Sequence, residues 1–237
     1  MPADSSNDVP SRGRITRGPA RQTLVERTLN FVQSELPNWR DDPTRQPEES
    51  EERLNAQLCK YLNVASRKKF PMVYFHHEEK QTSDRRVDVS ALPVERQLFG
   101  SALYSIYDPF LVFEGKRLPP PKNGKREREY VTGGDAKCGG IQRFKLGLHG
   151  AKHETVALIG YVQKGELRQW LKTINAWIRD LEGTLAFEEK WSSGEQLTAF
   201  SEDTTLKIAI CSSSHPRVGN VASNLIRIRH LWVRMNR

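Results

Sequence analysis

The sequence predicts a mixed α/β protein in which helices cover at least one face of a central β-sheet. Three observations support this fold class: short apolar or alternating runs recur along the chain, amphipathic helical segments lie between them, and no stretch within residues 22–237 resembles an inter-domain linker. The predicted order is a helix, three strands, a helix, a strand, a helix and a β-rich C-terminal part. We therefore expect one domain over residues 22–237, preceded by a disordered basic tail over residues 1–21.

The first part of the chain carries two helical patterns. Residues 22–36 place four aliphatic side chains at spacings of four, three and four, which predicts a helix that ends before Pro37. Residues 48–63 begin with acidic side chains and then carry leucines four positions apart. They predict a second helix of about four turns that starts after Pro47.

Three strand patterns follow the second helix. Residues 70–77 are β-branched and aromatic, and residues 85–92 alternate between apolar and polar side chains. Residues 109–115 form an almost continuous apolar run, which is typical of a strand buried on both faces. The three prolines at 119–121 predict that residues 117–129 form an exposed loop, because consecutive prolines do not fit a sheet interior.

The second half of the chain alternates between helix and strand patterns. Residues 139–150 predict a short helix, residues 155–163 a strand and residues 165–183 an amphipathic helix. Residues 206–214 and 224–235 predict two further strands. The serines that precede His215 are interpreted as a polar turn, since no nucleophile-elbow motif surrounds them.

Composition and charge exclude several protein classes. The 237 residues include 37 Lys and Arg against 29 Asp and Glu, for a formal net charge of +8. No apolar run approaches the roughly 18 residues that a membrane-spanning helix needs, and the N-terminus lacks the apolar segment of a secretory signal. The three cysteines lack CxxC spacing, which argues against a disulfide framework or a zinc knuckle. We expect a cytoplasmic protein without a membrane partner.

The positive charge is clustered. Basic side chains concentrate in the stretch after Leu118 and from His215 to the C-terminus. Such clusters attract polyanions, although the same residues are also compatible with an ordinary basic surface. Charge therefore indicates a class of partner and no particular reaction.

Three charged residues within or directly after predicted strands suggest chemistry. Glu114 and Lys116 end the apolar strand, and residues two apart on a strand point to the same face. Asp88 interrupts the alternating strand that we expect beside it. Buried charges must be paired or bind an ion, and two carboxylates can hold a hard cation such as Mg²⁺. Lys116 would then neutralise a phosphate or help orient and deprotonate the attacking water, but the trio is equally compatible with a structural ion-pair network.

The arrangement resembles the PD-(D/E)xK nuclease superfamily, which includes restriction endonucleases and prokaryotic defence and repair nucleases. The resemblance covers roughly residues 48–180. It implies a restriction-endonuclease-like mixed central β-sheet flanked by helices, with a β-rich C-terminal extension. It also implies Mg²⁺ or Mn²⁺ as cofactor, held by Asp88, Glu114 and the carbonyl of Gly115, with Lys116 as the catalytic lysine. Val87 stands where many members have a proline before the first acid.

The resemblance implies further site residues. Many members carry a glutamate on the first helix; Glu51 shares a helical face with the leucines and is the preferred candidate, with Glu52 as the alternative. Both acids are also explained by stabilisation of a helix N-terminus. Gln142 is the candidate for a glutamine that approaches the site. The expected nucleic-acid contacts are Gln142, Arg143, Lys145, Lys122, Lys125 and Arg126.

The expected function is therefore an Mg²⁺-dependent endodeoxyribonuclease that hydrolyses phosphodiester bonds, with DNA favoured over RNA as substrate. The resemblance also suggests the effector or a subunit of an anti-phage defence complex, and a homodimer is compatible with it. The alternative is a non-catalytic nucleic-acid-binding or assembly subunit that retains a degenerate nuclease fold.

Overall fold

A computed structural model of the chain describes residues 21–48, 50–81, 85–99, 102–120, 126–184 and 189–235. It confirms the predicted mixed α/β class: a seven-stranded sheet with parallel and antiparallel strands is flanked by helices, and the C-terminal part is rich in strands. The expected tail over residues 1–20 and the expected contacts Lys122 and Lys125 lie outside the described residues. None of the described helices is long and apolar enough to cross a membrane.

The helices and strands follow the predicted order, with an added hairpin over residues 97–104 and an added strand over residues 198–203. The helices are α1 (Arg21–Arg40), α2 (Glu51–Lys69), α3 (Gly140–Lys145) and α4 (Leu167–Leu181). The strands are β1 (Val73–Lys80), β2 (Arg86–Pro93), β3 (Gln97–Phe99), β4 (Ala102–Tyr104), β5 (Leu111–Leu118), β6 (Thr155–Val162), β7 (Thr198–Asp203), β8 (Ile208–Pro216) and β9 (Leu225–Arg234).

The large sheet has the order β1-β2-β5-β6-β9-β8-β7, while β3 and β4 form a separate hairpin. The pairs β5/β6 and β6/β9 are parallel, and the other pairs are antiparallel. A parallel neighbour requires a crossover connection, and α3 lies in the connection from β5 to β6. The end of β5 is thereby placed between a helix on each face.

Two apolar layers enclose the sheet. Leu111 and Phe113 of β5 belong to the cluster formed with α1 and α2, whereas Val112 belongs to the cluster formed with α3 and α4. Both faces of β5 are therefore buried, as its continuous apolar pattern predicts. The same alternation directs Glu114 and Lys116 to the face of Val112.

Gly115 allows α2 to approach β5 closely. A Cβ atom at this position would lie 2.1 Å from Oδ1 of Asn55, which also accepts a hydrogen bond from the Tyr161 hydroxyl at 2.7 Å. Residues four apart share a helical face, so this contact also brings Glu51 towards β5. The missing side chain at Gly115 therefore admits a helix.

Helix α1 continues beyond its predicted end. Pro37 lies inside the helix, which extends to Arg40. Proline removes one main-chain donor and disfavours the helical conformation, but Trp39 and Arg40 are buried. The Trp39 ring contacts Tyr161 with centroids 5.7 Å apart, and Arg40 Nη1 donates to the Leu206 carbonyl at 2.8 Å. These tertiary contacts outweigh the local preference.

The expected polar turn at the serines before His215 is wrong, because Ile208–Pro216 is the continuous strand β8. Ser213 and His215 point into the protein and are buried. They belong to a hydrogen-bonded chain, here called the buried histidine chain, that comprises Lys145, Glu195, His215, Ser213, His230, Tyr130 and Trp232.

Hydrogen bonds connect the members of the buried histidine chain from Glu195 to Trp232. His215 lies 2.8 Å from Glu195 Oε2 and 2.7 Å from Ser213 Oγ, and the same hydroxyl lies 2.8 Å from Nε2 of His230. Tyr130 OH is 2.8 Å from the other ring nitrogen of His230 and accepts from Trp232 Nε1 at 2.7 Å. The chain satisfies polar groups that strand alternation places in the core.

Candidate active site

A polar cleft of about 630 Å³ opens where β2 and β5 separate. The two strands pair from Ala91–Leu111 to Val89–Phe113, and the next residues along them are Asp88 and Glu114. The N-terminus of α2 adds Glu51, which faces the cleft, whereas the alternative Glu52 is exposed and is not among the lining residues. The described lining comprises Glu51, Asp88, Glu129, Arg85, Arg86, Lys116, Arg126, Arg143 and His149.

Lys116 lies at the centre of the acidic groups. Its ammonium donates to Glu51 Oε1 at 2.5 Å and lies 3.6 Å from Glu114 Oε1 and 3.9 Å from an oxygen of Glu129. The side chain is 3% exposed, and burial alone would lower its pKa. The negative charges of Glu51 and Glu114 outweigh burial and raise the pKa of Lys116. The group therefore remains charged and can donate hydrogen bonds, which disfavours the expected role in deprotonating water.

Glu114 is fully buried and has a partner for each carboxylate oxygen. His149 Nδ1 lies 2.8 Å from Oε2, and Arg143 Nη1 donates to Oε1. Burial alone would raise the pKa of Glu114, but the interactions with His149 and Lys116 outweigh it and lower the pKa. This acid therefore stays ionised beneath the cleft.

Asp88 is the acid of the cleft that has the least positive charge beside it. Its Oδ2 accepts a hydrogen bond from the N–H of Gly115 at 2.7 Å. Burial, followed by the negative charge of Glu114, raises the pKa of Asp88 well above its ordinary value, and Lys116 offsets this only in part. A cation bound next to Asp88 would supply the missing charge.

The chemistry of the donor set fits a hard divalent cation, although the described side chains are engaged with one another. Glu51, Asp88, Glu114 and Glu129 provide carboxylate oxygens, which Mg²⁺ and Mn²⁺ prefer. Among the described residues, however, no group of three or more His, Cys, Asp or Glu side chains is arranged to hold a metal ion. Arg143 and His149 each use one lone pair of a Glu114 oxygen, so a cation bound by Glu114 would share these oxygens with them. The carbonyl of Gly115 as a ligand stays a prediction.

Arginines form a positive rim above the acidic residues. Arg86 is exposed and pairs with Glu78 at 2.8 Å, and Arg126 contacts both oxygens of Glu129 at 2.7 Å. Arg143 reaches Glu114 from α3. Guanidinium groups bind phosphate oxygens in pairs, so a positive rim over carboxylates suits a phosphate together with a cation.

Two of the predicted nucleic-acid contacts lie elsewhere. Gln142 is buried, accepts from the N–H of Gly133 at 2.9 Å and donates to Glu189 Oε1 at 2.7 Å. Lys145 is 1% exposed, pairs with Glu195 and lies 4.6 Å from the ring of Trp191. Neither side chain lines the cleft, and their burial argues against direct phosphate contacts. The described members of the predicted set that do line the cleft are Arg126 and Arg143.

The sequence interpretation missed Glu129 and His149. Glu129 was assigned to an exposed loop, but it is buried and begins an inward-facing segment with Tyr130 and Val131. The apolar pair directly after the acid was the available signal. His149 follows α3 in an irregular segment, where no periodicity indicates which way a side chain points.

Comparison with known proteins adds no assignment. A scan of the chain against models of protein families finds no match, and searches of curated proteins and of solved structures find none.

Proposed function

We propose that this chain is a metal-dependent nuclease that hydrolyses phosphodiester bonds, with DNA as the favoured substrate. The observation that carries the proposal is the convergence of Asp88, Lys116 and Glu51 in the lining of one solvent-accessible cleft with an arginine rim, with the buried Glu114 directly beneath it. The element order α2-β1-β2-β5-α3-β6 also agrees with the PD-(D/E)xK resemblance. An endonuclease acting in a prokaryotic defence complex is the form that the resemblance favours.

The cation would be held by Asp88 and Glu114, with Glu51 as a further carboxylate. When bound, Mg²⁺ lowers the pKa of a coordinated water and stabilises negative charge at a reacting phosphate. The charged ammonium of Lys116 contributes a preorganised donor for the charge that develops on phosphate oxygens. Glu51 holds this ammonium at 2.5 Å and therefore acts as a positioning residue in the described arrangement.

The rim binds the nucleic-acid backbone. Arg126 and Arg143 offer planar donors to phosphate oxygens, and the exposed Arg86 adds charge at the edge. Contacts of this kind carry no base-sequence information. We therefore expect cleavage that depends weakly on the sequence of the substrate.

The second candidate function is a nucleic-acid-binding or assembly subunit without catalysis. The pairing of both Glu114 oxygens with Arg143 and His149 favours it, because these partners explain the buried carboxylate without a bound cation. Such a protein would still use the arginine rim to bind the backbone.

One experiment separates the two functions. Plasmid and single-stranded DNA are incubated with the wild-type protein and Asp88→Asn, in Mg²⁺, Mn²⁺ or EDTA. Asparagine retains an oxygen that accepts from Gly115 while it removes the charge, and exposed Glu52→Gln is the matched control. The nuclease predicts metal-dependent cleavage that Asp88→Asn abolishes and Glu52→Gln retains.

Two outcomes contradict the enzymatic proposal. Cleavage by Asp88→Asn at the wild-type rate would show that Asp88 does not take part in the reaction. DNA binding without cleavage in either metal, together with no Mg²⁺ or Mn²⁺ binding by calorimetry, would support the non-catalytic subunit.

A further inference from the structure

A second cavity of about 510 Å³ lies beside the cleft. Three parts of the chain line it: the end of β1, the β3–β4 hairpin with the turn that follows it, and the segment 147–153. The residues that matter below are Lys80, Gln81, Leu103, Tyr104, Tyr107 and Lys152.

The two cavities share a wall. His149 lines the cleft, and its neighbour Leu148 lines the second cavity, so consecutive residues about 3.8 Å apart at Cα face different spaces. Gln81 Oε1 accepts from the N–H of Gly150 at 3.1 Å, which fixes the segment against the end of β1. A ligand longer than one nucleotide could therefore occupy both cavities at once.

The second cavity has an aromatic edge exposed to solvent. Tyr107 is 80% exposed, and Leu103 is 51% exposed. Tyr104 lines the same space. Tyrosine combines a large apolar ring with a polar tip and is enriched where proteins bind ligands.

The two cavities differ in the balance of their charged side chains. In the second cavity, Lys80 and Lys152 are balanced by Glu79 and Asp108. Glu79 pairs with His76 at 2.9 Å, and Asp108 accepts from the Ser105 hydroxyl at 2.6 Å. A balanced, aromatic cavity suits a neutral planar group, whereas the arginine rim of the cleft suits a phosphate.

We propose that the second cavity binds an unstacked nucleobase of a single strand whose adjoining phosphate lies in the cleft. The inference rests on the proposed function, because it assumes that the cleft receives nucleic acid. Stacking on Tyr107 is available to a base that has left its duplex, and aromatic stacking of this kind tolerates any base. The preferred substrate is accordingly single-stranded, frayed or otherwise unpaired nucleic acid.

The test measures binding without cleavage. A single strand of about 12 nucleotides that carries 2-aminopurine is titrated in EDTA with wild type, Tyr107→Phe and Tyr107→Leu. Phenylalanine keeps the ring, while leucine keeps an apolar side chain without it. The exposed Leu206→Ala, in the β7–β8 turn, serves as the control.

We expect wild type, Tyr107→Phe and Leu206→Ala to quench the 2-aminopurine fluorescence to a similar extent. Tyr107→Leu should lose the quenching and about 5- to 150-fold in affinity for the single strand, with no change for a blunt duplex of the same sequence. Tyr107 is highly exposed, so circular dichroism should show that the variant folds.

Two results overturn the inference. In the first, Tyr107→Leu binds the single strand and quenches its fluorescence as wild type does. In the second, the variant changes only the self-association of the protein, measured by sedimentation. Equal plasmid nicking by Tyr107→Leu and wild type, combined with unchanged quenching, would refute the base site and leave the nuclease intact. Loss of quenching in a protein that cleaves in no metal would support the base site and refute the nuclease.

Discussion

The cleft and the buried histidine chain both contain Lys, Glu and His side chains but differ in how completely their polar groups are satisfied. In the buried histidine chain, hydrogen bonds connect Lys145 and Glu195 through two histidines to Tyr130 and Trp232. In the cleft, Lys116 is shared by Glu51, Glu114 and Glu129, and the pKa of Asp88 is raised. A closed, satisfied network serves the fold, whereas an open network that contains an acid of raised pKa is suited to a ligand.

The pKa shifts in the two networks support this distinction. Burial lowers the pKa of both His215 and His230, so these side chains are kept neutral. In the cleft, mutual attraction outweighs burial and keeps Lys116 and Glu114 charged. The buried histidine chain thus contains few ionised groups, whereas the cleft contains many.

The largest expected effect is the loss of the cleft's central cation. Lys116→Gln should reduce the rate of plasmid nicking in Mg²⁺ by about 10²- to 10³-fold, because one preorganised donor to the reacting phosphate is removed. Lys145→Gln makes the same change in the buried histidine chain and should leave the rate per folded molecule unchanged. Equal losses in the two variants would contradict the distinction between the networks.

A smaller effect should follow from changing the helix contact behind the cleft. Gly115→Ala places a methyl group against Asn55 and should lower the free energy of unfolding by about 1–3 kcal/mol, as overpacking does. It should also slow cleavage, because Glu51 lies on the same face of α2. Urea denaturation measures the first effect. The double variant Gly115→Ala/Asn55→Ala should lose less free energy of unfolding than the two single variants lose together. A loss equal to that sum would contradict the steric explanation.

The buried histidine chain predicts a dependence of stability on pH. His215 and His230 have lowered pKa values when folded, so below about pH 6.5 the unfolded chain binds protons that the folded chain does not. Stability is therefore complete above this pH and falls as the pH decreases, by up to about 1.4 kcal/mol per pH unit for each histidine. Denaturation between pH 5 and pH 7, with the exposed His76→Gln as control, measures the slope. A free energy of unfolding that stays constant over this range would contradict the burial of both histidines in their neutral form.

The smallest expected effect concerns the rim. Arg86→Ala should weaken duplex DNA binding evenly across sequences and reduce the slope of log affinity against log salt by about 0.9, if Arg86 contacts one phosphate. Arg168→Ala on α4, which pairs with Glu202 outside the cleft, should leave the slope unchanged. A change confined to one DNA sequence would indicate base recognition instead.

Strand alternation explains why the central residues could be predicted. A buried strand has two faces, so Glu114 and Lys116 had to share one, and an acid on the neighbouring strand had to lie nearby. Glu51 followed from the phase of the leucines on α2, a helix long enough to define a face. The predicted fold class and element order depended on the same periodicities.

The misplaced residues lie where periodicity is absent or is overridden by tertiary contacts. Helix α3 spans six residues, too few for the sequence to fix its phase, so Gln142 and Lys145 were expected on the wrong side. Glu129 and His149 lie in irregular segments whose direction depends on packing. Pro37 was expected to end a helix. The helix continues because Trp39 is buried against the rest of the protein, and local sequence preferences do not include such tertiary contacts.

The close approach of α2 at Gly115 links the candidate active site to the opposite layer of the protein. One helical turn separates Asn55, wedged against β5, from Glu51, which holds the ammonium of Lys116. Loosening of the α1–α2 layer would therefore detach the ammonium from its anchor while the strands stayed paired. The cleavage activity proposed for the chain should accordingly be lost on heating some degrees before its sheet melts.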